Sequence, residues 1–143
     1  MVTLCGGKAF EIVATAREVL KEKGQTACIS VYNHMGLELC FSAMTTNVRA
    51  FAANIAKLKA EQSAKTGRRT VYLAQQVREG KLTERVLNIP KDEFITFAGG
   101  VPIYSSDGEL IGGMGVSNLK AEEDEAICIE TLERLGYLSD RPE

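Results

Sequence analysis

The chain holds one histidine, His34, and four cysteines, Cys5, Cys28, Cys40 and Cys128, and these counts bound its chemistry before any fold is considered. A single imidazole cannot build a two-histidine metal site, and a serine or cysteine triad would have to rest on that ring. The cysteines are scattered with no CxxC pair, so they read as free thiols of a reducing compartment, with a disulfide pair as the lesser alternative. The acid-base candidates are Lys59, His34 and Glu61. Lys59 is surrounded by Lys57, Glu61 and Arg49, and is either a solvated helix-surface charge or a contact for a ligand anion.

Gly99-Gly100-Val101-Pro102 is the second chemical feature. Two successive glycines let backbone N–H groups line a concavity suited to a carboxylate, phosphate or propionate; the plain alternative is a tight strand connection. A second glycine-rich run, Gly112-Gly113-Met114-Gly115-Val116-Ser117, would weaken a strand unless a backbone or a ligand approaches closely there. Ser117 at its end joins the candidate ligand contacts. No G-x-G-x-x-G occurs, which argues against a dinucleotide loop. Arg68-Arg69-Thr70 is either an anion clamp at a helix start or charge compensation at the end of the preceding helix, and Asp124 is either a pocket acid or a first-turn acid of the last helix.

These residues need elements to hold them. Apolar spacings of three and four predict helices over 9–23, 48–64, 71–77 and 121–135, with Thr45, Thr46 and Asn47 as N-cap types for the second. Gly24, Gly67, Gly80 and Gly136 end them. Alternation predicts strands over 27–32 and 37–41, joined by the turn 33–36 that carries His34, and over 101–104 and 109–117, joined by Ser106-Asp107-Gly108. Shorter strands are expected at 86–89 and 94–97, and the least regular stretch, 81–92, has the character of a surface excursion. Runs of antiparallel hairpins between helices indicate an α+β domain, an antiparallel sheet covered by helices.

With 143 residues, 45% apolar and 25% charged, the composition suits a single domain over 1–143 that can bury its own core. A net charge of -2 with no basic block argues against nucleic acid, and no apolar run reaches the length of a membrane span. The first residues lack the basic start and apolar core of a signal peptide, so a cytoplasmic setting is expected.

The run Gly99-Gly100-Val101-Pro102-Ile103, then the segment from Asp107-Gly108 through Gly112-Gly113-Met114-Gly115-Val116-Ser117, then Asp124, resembles the GlcG/HbpS-like family of haem-binding and haem-degrading-like proteins, to which the PduO C-terminal domain belongs. Val31 to Gly36, Lys59-Ala60 with Ala64, and Thr70 match in order, so the similarity covers about residues 9 to 135. The resemblance implies a profilin-like or PAS-like fold, a homo-oligomer (a dimer or larger), and a pocket where the glycine-rich segment meets the second helix. It also implies a small-molecule, anionic ligand, with haem or another tetrapyrrole as the cofactor, or work in catabolic operons for small acids and diols. Three positions differ from the family pattern: Ser42-Ala43-Met44-Thr45-Thr46-Asn47 replaces an Arg-Met-Asp-Gly-Ala segment, Asn33-His34 replaces a turn carboxylate, and residues 9–23 lack the histidine that haem-binding relatives supply as axial ligand. No metal ligand is therefore assigned unless haem binds, when His34 would be the first choice and Met44, Met114, a cysteine thiolate or Tyr104 the others. The residues support a small-molecule binding protein contacting its ligand through Gly99, Gly100, Val101, Pro102, Lys59 and Ser117. Its rivals are a lyase or isomerase of a small aromatic or hydroxy acid using Lys59, His34 or Glu61, and an assembly component whose glycines serve packing.

Overall fold

The computed structural model describes residues 3–44 and 50–143. The capping positions Thr45, Thr46 and Asn47, together with Val48 and Arg49, lie outside the described residues. The elements run α1 (Gly6–Glu22), β1 (Cys28–Asn33), β2 (Glu38–Ala43), α2 (Ala50–Thr66), α3 (Thr70–Arg78), a single turn α4 (Glu84–Leu87), a 3₁₀ turn (Lys91–Glu93), β3 (Gly100–Tyr104), β4 (Leu110–Ser117) and α5 (Ala121–Leu135). The four strands form one antiparallel sheet in the order β2-β1-β4-β3, so the fold is α+β as its hairpins require. No helix among the described residues is long and apolar enough to cross a membrane.

The two faces of the sheet are covered by different chemistry. One carries Ile29, Val31, Val101, Ile103, Met114 and Val116, which pack with Ile12, Val13, Ala16 and Leu20 of α1 and Ile127, Cys128 and Leu132 of α5 in the main core. The opposite face is lined by Ser30, Gly100, Gly113 and Gly115, and α2 lies on it through Ala52, Ala56, Ala60 and Ala64. Helix periodicity in α2 predicts Phe51, Ile55 and Leu58 as its inward side. The structure instead buries the alanines, leaving Ile55 and Leu58 half-buried and Phe51 exposed. Glycines on β4 leave no room for large side chains between sheet and helix, because a Cβ at Gly115 would sit 2.3 Å from the Ala56 carbonyl oxygen. The backbone approach expected of a glycine-rich strand is therefore that of α2.

Two expected strands are not formed. Residues 84–87 make the turn α4 because the Thr83 hydroxyl accepts from Val86 N–H, and Asn88, at φ 58°, ends it in the left-handed region. Residues 94–97 have the apolar character of a strand but no strand beside them. Gln62 of α2 supplies both partners of Ile95, accepting its N–H at 2.8 Å and donating to its carbonyl at 3.2 Å, and the Thr70 hydroxyl donates to the Phe97 carbonyl. The outer edge of β3 is instead met by the C-terminal residues, through a bridge of Tyr104 with Leu138.

Candidate functional site

Lys59 sits where a surface lysine is not expected, in phase with the alanine stripe of α2 and 1% exposed. Burying an ammonium is costly unless it is paired and hydrogen-bonded. Here Nζ donates to the Val116 carbonyl oxygen at 2.8 Å and to Asp124 Oδ2 at 3.1 Å. The Phe97 ring stands over it, 5.2 Å from Nζ to the centroid. Asp124 is 2% exposed, and its second oxygen accepts the Leu119 N–H at 3.1 Å. It is therefore both the first-turn acid of α5 and the partner of a cation on α2. Burial pushes its carboxyl above the usual aspartate range, opposed by the charge and hydrogen bond of Lys59 and by the Leu119 amide. Cys128, one turn along α5, has its thiol pushed far up by burial and donates to the Gly99 carbonyl. It is inert as a nucleophile.

The ion pair lies at the base of a cleft of about 470 Å³ between the start of α2, the residues after β4 and the start of α5. Its apolar walls are Phe51, Ile55, Phe97 and Leu119, and its polar lining is Lys59, Asp124, Ser117 and Asn118. Lys59 and Ser117 thus meet in one cleft. Gly99, Gly100, Val101 and Pro102 are buried behind it and do not line it. The hollow that two glycines could offer to an anion is taken by this chain: a Cβ at Gly99 would meet Lys59 Nζ at 2.3 Å, and one at Gly100 the Lys59 carbonyl oxygen at 2.6 Å. The Gly100 N–H is bonded to Thr70 Oγ1.

The structure does not bring the three acid-base candidates together. Glu61 points away from the cleft, pairs with Lys65 at 3.5 Å, and lines a smaller recess with Asn88 and Pro90. His34 follows Asn33, which pairs with Gly112, whereas the cleft adjoins the opposite end of β1, where Cys28 pairs with Ser117. Five residue steps along the strand separate Cys28 from Asn33, about 17 Å. The His34 Nδ1 is buried without a hydrogen-bond partner, and its backbone N–H is held by Ile111. Arg68 stacks on Tyr72, Arg69 is tied to Ser139 and Thr70 turns inward, so no clamp of the three exists.

Haem needs an axial ligand, and the described residues lining the cleft include no imidazole, thiol, thioether or phenol. Met114 is fully buried in the core, Met44 packs against it, and the Tyr104 hydroxyl is engaged with the Gly67 carbonyl at 2.7 Å. Cys40 lines a separate cleft of about 420 Å³ between α1 and β2, and its thiol is pushed up by burial. This side-chain set does not fit an iron-ligated haem in the Lys59 cleft.

Sequence reasoning missed Phe97, Ile55, Asn118 and the bridging Gln62. One signal was available: Lys59 falls in the helical phase of Ala52, Ala56, Ser63 and Ala64, and a charge inside a stripe of small residues marks a buried partner.

The sequence model of the family described as "Haem degrading protein HbpS-like" matches residues 6–133. Among curated proteins, none matches the sequence. Similar solved structures include a PduOC:heme complex (22% identity, TM-score 0.84, covering 98% of this chain and 100% of that one). They include a double mutant of HbpS from Streptomyces reticuli (20%, 0.80, 95% and 89%) and the ORFY protein of Klebsiella pneumoniae (21%, 0.79, 93% and 91%). At these identities the likeness shows the fold.

Proposed function

The chain belongs to the HbpS-like family, and from that membership we propose that it is a small-molecule binding protein whose ligand is an organic acid with an apolar body. One observation carries the reading: a fully buried ammonium, Lys59, at the base of a cleft with aromatic and aliphatic walls. The acid would set its carboxylate toward Lys59, Ser117 and Asn118 and its apolar part against Ile55, Phe97 and Leu119. Two N–H groups of Lys59 are used by Val116 and Asp124, and an ammonium has three. A cytoplasmic setting is supported by four free thiols. Self-association is supported by exposed Phe10 and Leu37 beside the edge strand β2, and light scattering should show a dimer or larger; a monomer at micromolar concentration removes that part.

A second reading, haem binding, is favoured by the family description and by the likeness to the haem complex. No iron ligation is derived for it, because the described residues lining the cleft include no imidazole, thiol, thioether or phenol. One set of titrations separates the two. Calorimetry with phenylacetate and benzoate should give saturable binding of one acid per chain, and Ile55→Glu, which places a carboxylate in the cleft mouth, should weaken it at least about tenfold. Absence of binding at millimolar acid, or binding unmoved by Ile55→Glu, overturns the organic-acid reading. A stoichiometric Soret change with haemin would support the haem reading, and its absence would remove it.

A further inference from the structure

An acid that enters this cleft meets a cation that already has a carboxylate. Lys59 and Asp124 are both nearly fully buried and neutralise one another, with Asp124 Oδ1 fixed by the Leu119 N–H and Oδ2 on the ammonium. A second carboxylate on the same ammonium would put two negative charges around one positive charge, in a pair whose side chains are 1% and 4% exposed. Two carboxylates that share a site do not both stay ionised, and the proton goes to the one whose surroundings least support its charge. Resting on the organic-acid reading, we infer that the bound acid shares Lys59 with Asp124 and that Asp124 takes up one proton from solvent as the acid binds. The proton goes to Oδ2, which changes from acceptor of the Lys59 N–H to donor toward the acid's carboxylate, while Oδ1 keeps the Leu119 bond. No covalent bond forms or breaks beyond that O–H.

The groups that face Asp124 favour this assignment. From α2 there is the Lys59 ammonium; from α5 there are Glu123 and Cys128; and the residues after β4 contribute the Leu119 amide. The carboxylate of Glu123 raises Asp124 further, and burial holds the Cys128 thiol neutral. His34, the single histidine of the sequence, stands at the other end of β1 and is the control.

The test is calorimetric titration with phenylacetate at pH 7 in buffers of different ionisation heat, which counts protons directly, repeated between pH 6 and 8. The expected result is uptake of close to one proton per acid and, by linkage, an affinity that falls about tenfold per pH unit as pH rises. Asp124→Asn, which keeps the Leu119 acceptor and mimics the protonated carboxyl, should bind more tightly than the parent at pH 8, with no proton uptake and a flat profile. His34→Gln should leave the proton count unchanged. Binding with no proton uptake in the parent chain, or a proton count that follows His34, overturns this inference and leaves the organic-acid reading standing. No binding of the acid at any of these pH values overturns both. The proton count in the unaltered chain needs no variant to fold.

Discussion

Replacing Lys59 with methionine is expected to destabilise the protein by about 3–5 kcal/mol, because removing one partner of a buried ion pair leaves the other charge uncompensated. The side chains of the pair are 1% and 4% exposed, so solvent cannot screen what is lost. Methionine fills most of the lysine's volume, which keeps the packing against Phe97 and isolates the charge effect. Urea unfolding at pH 7 should show the drop as a lower midpoint with an unchanged slope. Adding Asp124→Asn should recover part of it, since the Leu119 N–H keeps its acceptor and no buried carboxylate remains. The pH dependence has a definite sign. With Lys59 gone, what remains around Asp124 is chiefly the burial that already lifts its carboxyl, so the folded value lies above the unfolded one. A carboxyl raised in the folded state binds more protons there than in the unfolded chain, and stability then falls as pH rises through the folded value. The Lys59→Met protein should therefore gain stability on going from pH 8 toward pH 5, and the double variant should not. A loss below about 1 kcal/mol would show the pair to be worth no more than a surface contact.

Hairpin turns and stop glycines made the sheet legible, since turn chemistry and two-residue alternation act locally. The core strands and α1 follow from the same local rules. The buried side of α2 did not. Phe51, Ile55 and Leu58 satisfy helical periodicity, yet the alanines go inward, because the deciding contact is with Gly113 and Gly115, more than forty residues away in sequence. The same non-local logic removed the strand at 94–97, where Gln62 and Thr70 satisfy backbone groups that a neighbouring strand would otherwise take. At the site, the sequence pointed to Lys59, Ser117 and Asp124 through the family motif, but could not distinguish a glycine turn open to a ligand from one already filled by Lys59. Glu61 and His34 were chosen for their chemistry alone, and neither helical phase nor strand register brings them to the cleft.

Gly115→Ala should be nearly as damaging as loss of Lys59, and for an unrelated reason. Its Cβ would lie 2.3 Å from the Ala56 carbonyl oxygen, 2.8 Å from the Ala60 nitrogen and 2.8 Å from Lys59 Cβ. Two of the three are helix backbone and cannot turn aside as a side chain would, so α2 must lift from the sheet or β4 must bend. Overpacking of a filled interior costs about 1–3 kcal/mol where neighbours can give, and the upper end or beyond is expected here. Lifting α2 also draws Lys59 away from Val116 and Asp124, which couples the packing defect to the ion pair. Gly115→Ala and Lys59→Met combined should accordingly cost less than the sum of the two, whereas substitutions at independent sites add. The contrasting position is Gly7, in α1, where an added Cβ meets nothing within 4 Å. Gly7→Ala should be neutral or stabilising by up to about 1 kcal/mol, through the better helix propensity of alanine. Equal effects at the two positions in urea unfolding would mean that the glycines of β4 are not there to admit α2.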